Sequence, residues 1–275
     1  MLFIIIGILL VGISVGLWFY RKSQLEKSFN IRYQETANAK NIWDNYQDIV
    51  KVVGNGNYSE IVEVKGIGIT DNPLIGEYSE KPVLYYRTSL IHEYEVQEKQ
   101  RDSNGNTSWV TVRKSETIAT NEQASPFYID DNSGKKIMVN MSGAEKVIHK
   151  IVDRFEKEFS QNYLNQNRNT SWGGQLINFI NNINTGSSRT IGYRFVEEAI
   201  PVNTRLYVYG EASDRDGELM IVKPKDAKQN FIVSVKSEEE LIKDADSTAR
   251  NSLIGVIILA VLGVASIIYG MVAKG

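Results

Sequence analysis

Two charge-free apolar runs bracket the chain, and between them the hydrophobic positions change period several times. Leu2 to Tyr20 is almost unbroken apolar sequence stopped by Arg21 and Lys22. Ser252 to Val272 is a second such run, followed by Lys274. About 20 apolar residues carry a helix across roughly 30 Å of hydrocarbon, so both runs read as transmembrane helices, 2–20 and 252–272, rather than as buried core helices. The alternative for the first run is a cleaved signal peptide. It has no basic start and no small-residue cleavage site. Trp18, Phe19 and Tyr20 followed by Arg21 and Lys22 instead predict an interfacial aromatic belt and an uncleaved anchor.

Residues 21–57 form a juxtamembrane segment that reads helical from Lys22 to about Val52, with no Pro or Gly and a loose apolar stripe from Leu25 to Val50. Gly54-Asn55-Gly56-Asn57 breaks it. From Tyr58 the period becomes two. Val62 and Val64 alternate with Glu63 and Lys65, and Leu90, His92, Tyr94 and Val96 alternate with Glu93, Glu95 and Gln97. Val83 to Gln100 and Ser108 to Ile118 predict a long hairpin around Asn104-Gly105. Phe127 to Ile129 and Lys136 to Val139 predict a short one around Asp131 to Gly134.

Ser142 and Glu145 fit a helix capping box, and Ala144, Val147, Ile148, Ile151, Val152, Phe155 and Phe159 follow 3-4 spacing. This predicts an amphipathic helix from about Gly143 to Tyr163. An Asn-rich loop and a short apolar helix over Leu176 to Ile183 follow, giving a helical insertion over about 142–184. Strands return at Ile191 to Ile200, Arg205 to Gly210, Glu218 to Val222 and Asn230 to Val235, with a turn at Asp214 to Gly217. Ser237 and Glu240 form a second capping box, opening a juxtamembrane helix, 237–251, that continues into the second span. The expected fold is two transmembrane helices flanking an α+β, β-rich soluble domain over 58–236, an antiparallel sheet or barrel with a helical insertion.

Charge changes the picture in two ways. Arg21, Lys22, Lys27, Arg32, Lys243 and Arg250 flank the spans on the domain side and only Lys274 lies on the other, so the positive-inside rule places the domain in the cytoplasm. A net charge of -2 and a pI of 5.9 leave no basic footprint for nucleic acid. The absence of cysteine excludes disulfides, thiol chemistry and thiolate zinc sites.

Candidate chemistry is sparse. His92 lies on the apolar face of a predicted strand and reads as a packed core histidine; His149 reads as a helix-surface residue. Glu63, Glu93 and Glu95 read as a solvated strand face. Arg194 is spaced to pair with Glu197 or Glu198. Asp102-Asn104-Asn106 and Asp214-Asp216-Glu218 lack the Gly and Glu of a calcium loop. Gly66 and Gly68 lie in a strand pattern without the helix that a phosphate loop needs. Tyr85-Tyr86-Arg87 predicts core packing plus one cation–π contact. No catalytic residue, metal ligand or cofactor emerges.

The two β halves resemble the GIDE domain, the membrane-flanked domain of RING-type mitochondrial E3 ubiquitin ligases with relatives in bacteria and archaea. The resemblance rests on Lys65-Gly66, Asn72-Pro73-Leu74, Pro82-Val83-Leu84-Tyr85-Tyr86-Arg87, Trp109, Ser125-Pro126-Phe127 and Gly134. In the second half it rests on Arg194, Glu197 and Glu198, Ile200-Pro201-Val202, Leu206 to Gly210, Phe231 to Ser234 and Lys236 to Leu241. It covers roughly Tyr58 to Val272 and marks Pro82, Tyr85, Tyr86, Arg87, Arg194, Glu197 and Gly210 as family-motif positions with a structural or interaction role. It implies a membrane-anchored interaction or sensing module, non-catalytic by itself, with a protein partner. The alternative is ubiquitin transfer with the RING supplied by another chain, since no RING residue carries over onto a chain without cysteine. A prokaryotic plasma membrane is the expected location. The mitochondrial relatives hold this domain outside the cytosol, so resemblance and charge rule point opposite ways on orientation.

Overall fold

The apolar runs and their polar continuations form two long helices that stand side by side. The computed structural model describes residues 1–101, 105–158, 179 and 188–273. Helix α1 (Leu2–Tyr33) and helix α3 (Glu238–Val272) are both long and apolar enough to cross a membrane. At 1.5 Å per residue, α1 measures about 48 Å, so about 18 Å of it stands clear of the hydrocarbon. The helices are antiparallel: Ser266 Oγ donates to the Phe3 carbonyl at 2.8 Å, Gly7 faces Gly263 and Ile267, and Ser28 Oγ donates to Asp246 at 2.6 Å. Small residues let the backbones approach. A Cβ at Gly7 would lie 2.6 Å from the Gly263 carbonyl oxygen, whereas one at Gly12 meets nothing.

Between these helices lie two β units. Strands β1 (Ser59–Ile69), β5 (Phe127–Asp130), β6 (Lys136–Val139), β11 (Met220–Val222) and β10 (Arg205–Ser213) close into a five-stranded barrel, because β1 pairs with both β5 and β10. Strands β12 (Ile232–Ser234) and β7 (Glu145–Val147) extend it from β10. Val62, Val64, Phe127, Ile129, Ile137, Val208 and Ile221 fill the barrel. Helix α2 (Ala39–Val53), capped by Asn38, adds Ala39 and Ile42 to that core. Asp131 in the β5–β6 turn accepts from the Ala39 N–H at 2.7 Å and fixes the start of this helix.

The second unit is an open sheet. The hairpin of β3 (Pro82–Arg101) and β4 (Thr107–Ala124) pairs through β3 with β9 (Ser188–Pro201), which pairs with β8 (His149–Glu156); the short β2 (Leu74–Ile75) pairs with the start of β3. Bulges at Leu90/Ile91, Glu93/Tyr94 and Lys150/Val152 bend it into a half-barrel. Leu84, Tyr85 and Ile200 reach from its base into the barrel core, joining the units.

Most of the expected strands and hairpins form, and α1 and α3 run on from their spans into the domain as expected. α1 and α2 are separate helices, however, with Thr36 bridging to Glu63 between them. Two pairings, β6–β11 and β7–β12, are parallel. The expected helix from Gly143 is replaced by β7 and β8, and Ser142 and Glu145 form no capping box. Gly143 takes a left-handed turn (φ 76°) and the Glu145 N–H donates to the Phe231 carbonyl. The 3-4 spacing was compatible with either state in so short an apolar run. The β-branched Val147, Ile148, Ile151 and Val152 favour a strand once β9 and β12 offer partners. The rest of the expected insertion lies outside the described residues, except Phe179.

Alanine at Gly7 is expected to destabilise the helix pair by about 1–3 kcal/mol, because its Cβ meets backbone. Alanine at Gly12 should leave stability unchanged. Circular-dichroism melting of both variants in detergent checks this; equal midpoints would refute the packing.

Candidate interaction surface

Alternation along β3 sends Tyr85 and Arg87 to one face and Tyr86 and Thr88 to the other. Tyr85 is buried, with Lys146 Nζ 5.0 Å from its ring centre, and Lys146 also pairs with Glu122 at 3.0 Å. Burial pushes the Tyr85 phenol well above its ordinary value, assisted by the Glu122 charge. Burial also raises the Glu122 carboxyl, but Lys146, the Tyr85 hydroxyl and Arg87 outweigh it and hold that carboxyl below the ordinary range. Tyr86 accepts from Asn121 Nδ2 at 3.3 Å on the opposite face. Arg87 donates through Nε and Nη2 to Glu198.

Arg87 begins a ladder of ion pairs across the exposed face of the open sheet. Arg194 donates to Glu93 at 2.7 Å and to Asp153 at 2.9 Å, and Glu95 lies between Arg113 and Arg189. The expected pairing of Arg194 with Glu197 or Glu198 does not form. The nearest carboxylates to Arg194 lie on neighbouring strands, and Glu198 is taken by Arg87. Glu197 points to the other face, fully buried, and accepts from the Tyr78 and Ser79 N–H groups and from Ser79 Oγ. It thereby pins the loop between β2 and β3, where only glycine fits at Gly76, since a Cβ would lie 2.3 Å from the Glu197 carboxylate. Pro82 is exposed at the start of β3, opposite Ile75. Gly210 sits where β10 passes from β12 to β11, and a Cβ there would strike the Phe231 ring at 2.8 Å. Among the seven motif positions, Tyr85, Tyr86, Glu197 and Gly210 are thus packed inside; Arg87 and Arg194 share the exposed ladder.

His92 is buried as expected, stacked between Tyr94 and Tyr193, with Nδ1 3.2 Å from Glu116 and Nε2 3.0 Å from Thr190. The Phe179 ring lies 5.1 Å from it. His149 is exposed, but on a strand rather than a helix.

Glu63 overturns the expectation of a solvated face. Its side chain is fully buried, accepting from Tyr207 Oη at 2.8 Å and Thr36 Oγ1 at 2.7 Å and lying 3.0 Å from Lys65 Nζ. Lys65 continues to Glu238, at the start of α3, at 2.6 Å. Burial raises the Tyr207 phenol well above its ordinary value, and the Glu63 charge adds to this. Burial pulls the Lys65 ammonium down, but Glu238 and Glu63 outweigh it and leave it above the ordinary lysine value. The buried Glu211 and Asp214 likewise accept backbone N–H groups, from Lys225 and from Gly56 and Tyr58. These carboxylates are consumed in holding chain segments. Among the described residues no group of three His, Cys, Asp or Glu side chains is placed to hold a metal ion.

Two terminal apolar helices around a closed barrel and a half-barrel define a membrane-flanked β domain. The GIDE family model, described as E3 ubiquitin ligase, matches residues 95–268. The chain belongs to the GIDE family. No curated protein and no solved structure matches it. The match takes in Arg194, Glu197 and Gly210, whereas Pro82 to Arg87 precede it.

Alanine at Glu63 is expected to cost roughly 2–4 kcal/mol, because it strands the buried Tyr207 hydroxyl and removes one of the two carboxylates paired with Lys65. Alanine at Glu95, whose arginine partners are exposed, should cost less than about 1 kcal/mol. Thermal melting of the two variants compares them directly; equal loss would show that the Glu63 cluster carries no special weight.

Proposed function

We propose that this GIDE-family chain is a membrane-anchored interaction or sensing module, non-catalytic by itself, and that its partner is a protein bound on the exposed face of the open sheet. The observation that carries this reading is the mounting of the domain. The barrel is tied to the helix pair through Ile31, Tyr207, Tyr209, Ile232 and Leu241, and through Lys27–Glu145 and Lys65–Glu238. A partner on the sheet would be held at a set place relative to the membrane. The buried carboxylates are taken up in holding chain segments, Glu197, Glu211 and Asp214 by backbone N–H groups and Glu63 by Tyr207, Thr36 and Lys65. The face around Arg87, Glu93, Glu95, Arg113 and Arg194 offers both signs of charge in a ladder. Such an array favours selectivity and rate of encounter over bare affinity. The second reading keeps the family's transferase role, with the RING supplied by another chain; the family description favours it.

Arg87→Glu/Arg194→Glu is expected to abolish co-purification of the partner from native membranes while Lys135→Glu, on the β5–β6 turn, retains it. The same proteins recovered with both variants would sink the proposal.

We further propose a prokaryotic plasma membrane as the location, with the domain on the cytoplasmic side and both chain ends outside; the basic residues beside the spans support that orientation. A cysteine at Ala273 is therefore expected to react with an impermeant maleimide in intact cells, and one at Ser108 only after permeabilisation. The opposite pattern would reverse the orientation.

A further inference from the structure

The helix pair carries its charges unevenly along its length. Leu17 meets Gly255 and Ser28 meets Asp246, so Arg21 stands level with Arg250 to Ser252 on the opposite helix. That level is the end of both spans, marked by the exposed aromatic residues Trp18, Phe19 and Tyr20. Two or more turns further from the membrane, two of the cations are compensated, whereas the exposed Lys243 has no ion pair among the described residues. Arg32 donates to Asp246 at 2.8 Å, and Lys236 pairs with Asp244. Arg32, Glu239, Ile242, Lys243, Asp246 and Arg250 line one groove between the helices, and Arg250 is its membrane-proximal end.

At the membrane-proximal end both helices present a guanidinium without an anion. The Nε of Arg21 is shut off from solvent and has no hydrogen-bond acceptor. Neither Arg21 nor Arg250 has a carboxylate within ion-pair distance among the described residues, whereas neighbouring Lys22 is met by Glu26 one turn along α1 at 3.7 Å. Two guanidinia, one from each helix, thus sit at the depth of lipid phosphates without an anion of the chain's own. A guanidinium suits a phosphate because its fork donates two hydrogen bonds at once.

We propose that the membrane-proximal end of the α1–α3 groove binds the phosphate of an anionic phospholipid through Arg21 and Arg250. This is independent of the partner surface on the sheet. The lipid would close the charge pattern that Asp246 closes further out, and so brace the helix pair where it leaves the bilayer.

The test uses the full chain in phosphatidylcholine nanodiscs containing a minor fraction of phosphatidylglycerol. The protein is then extracted in mild detergent, and retained lipid is measured by mass spectrometry. The wild type is expected to keep phosphatidylglycerol in preference to phosphatidylcholine. One basic residue near an anionic surface is worth about five-fold, so Arg21→Gln/Arg250→Gln should lose roughly 30-fold in that preference. Arg21→Lys/Arg250→Lys, which keeps the charge, should retain most of it. Arg250→Gln alone, at an exposed position, should lose about five-fold; unchanged retention there overturns the proposal even where the double variant fails to fold. Equal loss in Lys22→Gln would show diffuse attraction instead of a site. Displacement of the lipid by millimolar inorganic phosphate would show a site for free anions. Either result overturns the proposal.

Discussion

The structure depends on one buried junction, where the outer face of the barrel is covered by the chain's own membrane helices. Strands β1, β10 and β12 turn Ile61, Glu63, Tyr207, Tyr209 and Ile232 outward, and α1 and α3 meet them with Ile31 and Leu241. A carboxylate carried into such a place is costly unless its lone pairs are filled. Tyr207, Thr36 and Lys65 fill them, and Lys65 passes the connection to the first turn of α3. The capping box of Ser237 and Glu240 starts that helix at the same spot. Removing the helices would leave a charged and aromatic face in water, so barrel and membrane helices specify each other.

Barrel closure imposes a second constraint. A ring of five strands is tight, and it closes only where side chains are absent at the closest approaches. A Cβ on Gly66 would lie 2.6 Å from the Asp130 carbonyl oxygen, and one on Gly210 would strike Phe231 and Ile221. The motif glycine is thus conformationally ordinary but sterically required. The open sheet obeys the opposite logic. Its bulges curve it into a half-barrel without closing it, one face packs under the Glu197-anchored loop, and the other is left to the Arg87 and Arg194 pairs. Its polar ladder is partly exposed and contributes little to stability. A surface so arranged can be remodelled for recognition without endangering the fold.

Much of this was legible along the chain. The two spans follow from hydrocarbon thickness, and the hairpins from period-two runs broken at Asn104-Gly105 and at Asp131 to Gly134. The second capping box also follows from local pattern, because Ser237 and Glu240 lie three residues apart, and the burial of His92 follows from its alternation along β3, although its partners Glu116, Thr190 and Tyr193 lie on other strands. The order of weak motifs was enough to indicate the family.

Tertiary structure alone decided the remainder. A run with 3-4 spacing from Glu145 became two strands because β9 and β12 presented unpaired edges to it. Glu63 alternates away from Val62 and Val64 as the pattern requires, yet the pattern cannot say whether the far face meets water or a helix arriving from more than 170 residues away at Glu238. Arg194 found its carboxylates on neighbouring strands rather than four residues along its own, since register sets cross-strand partners and spacing does not. Sequence by itself determined the two apolar spans, the hairpins and the second capping box, because each is set by composition or by neighbours close along the chain. Which faces are buried, and which charges are left without a partner, was settled only when distant segments met.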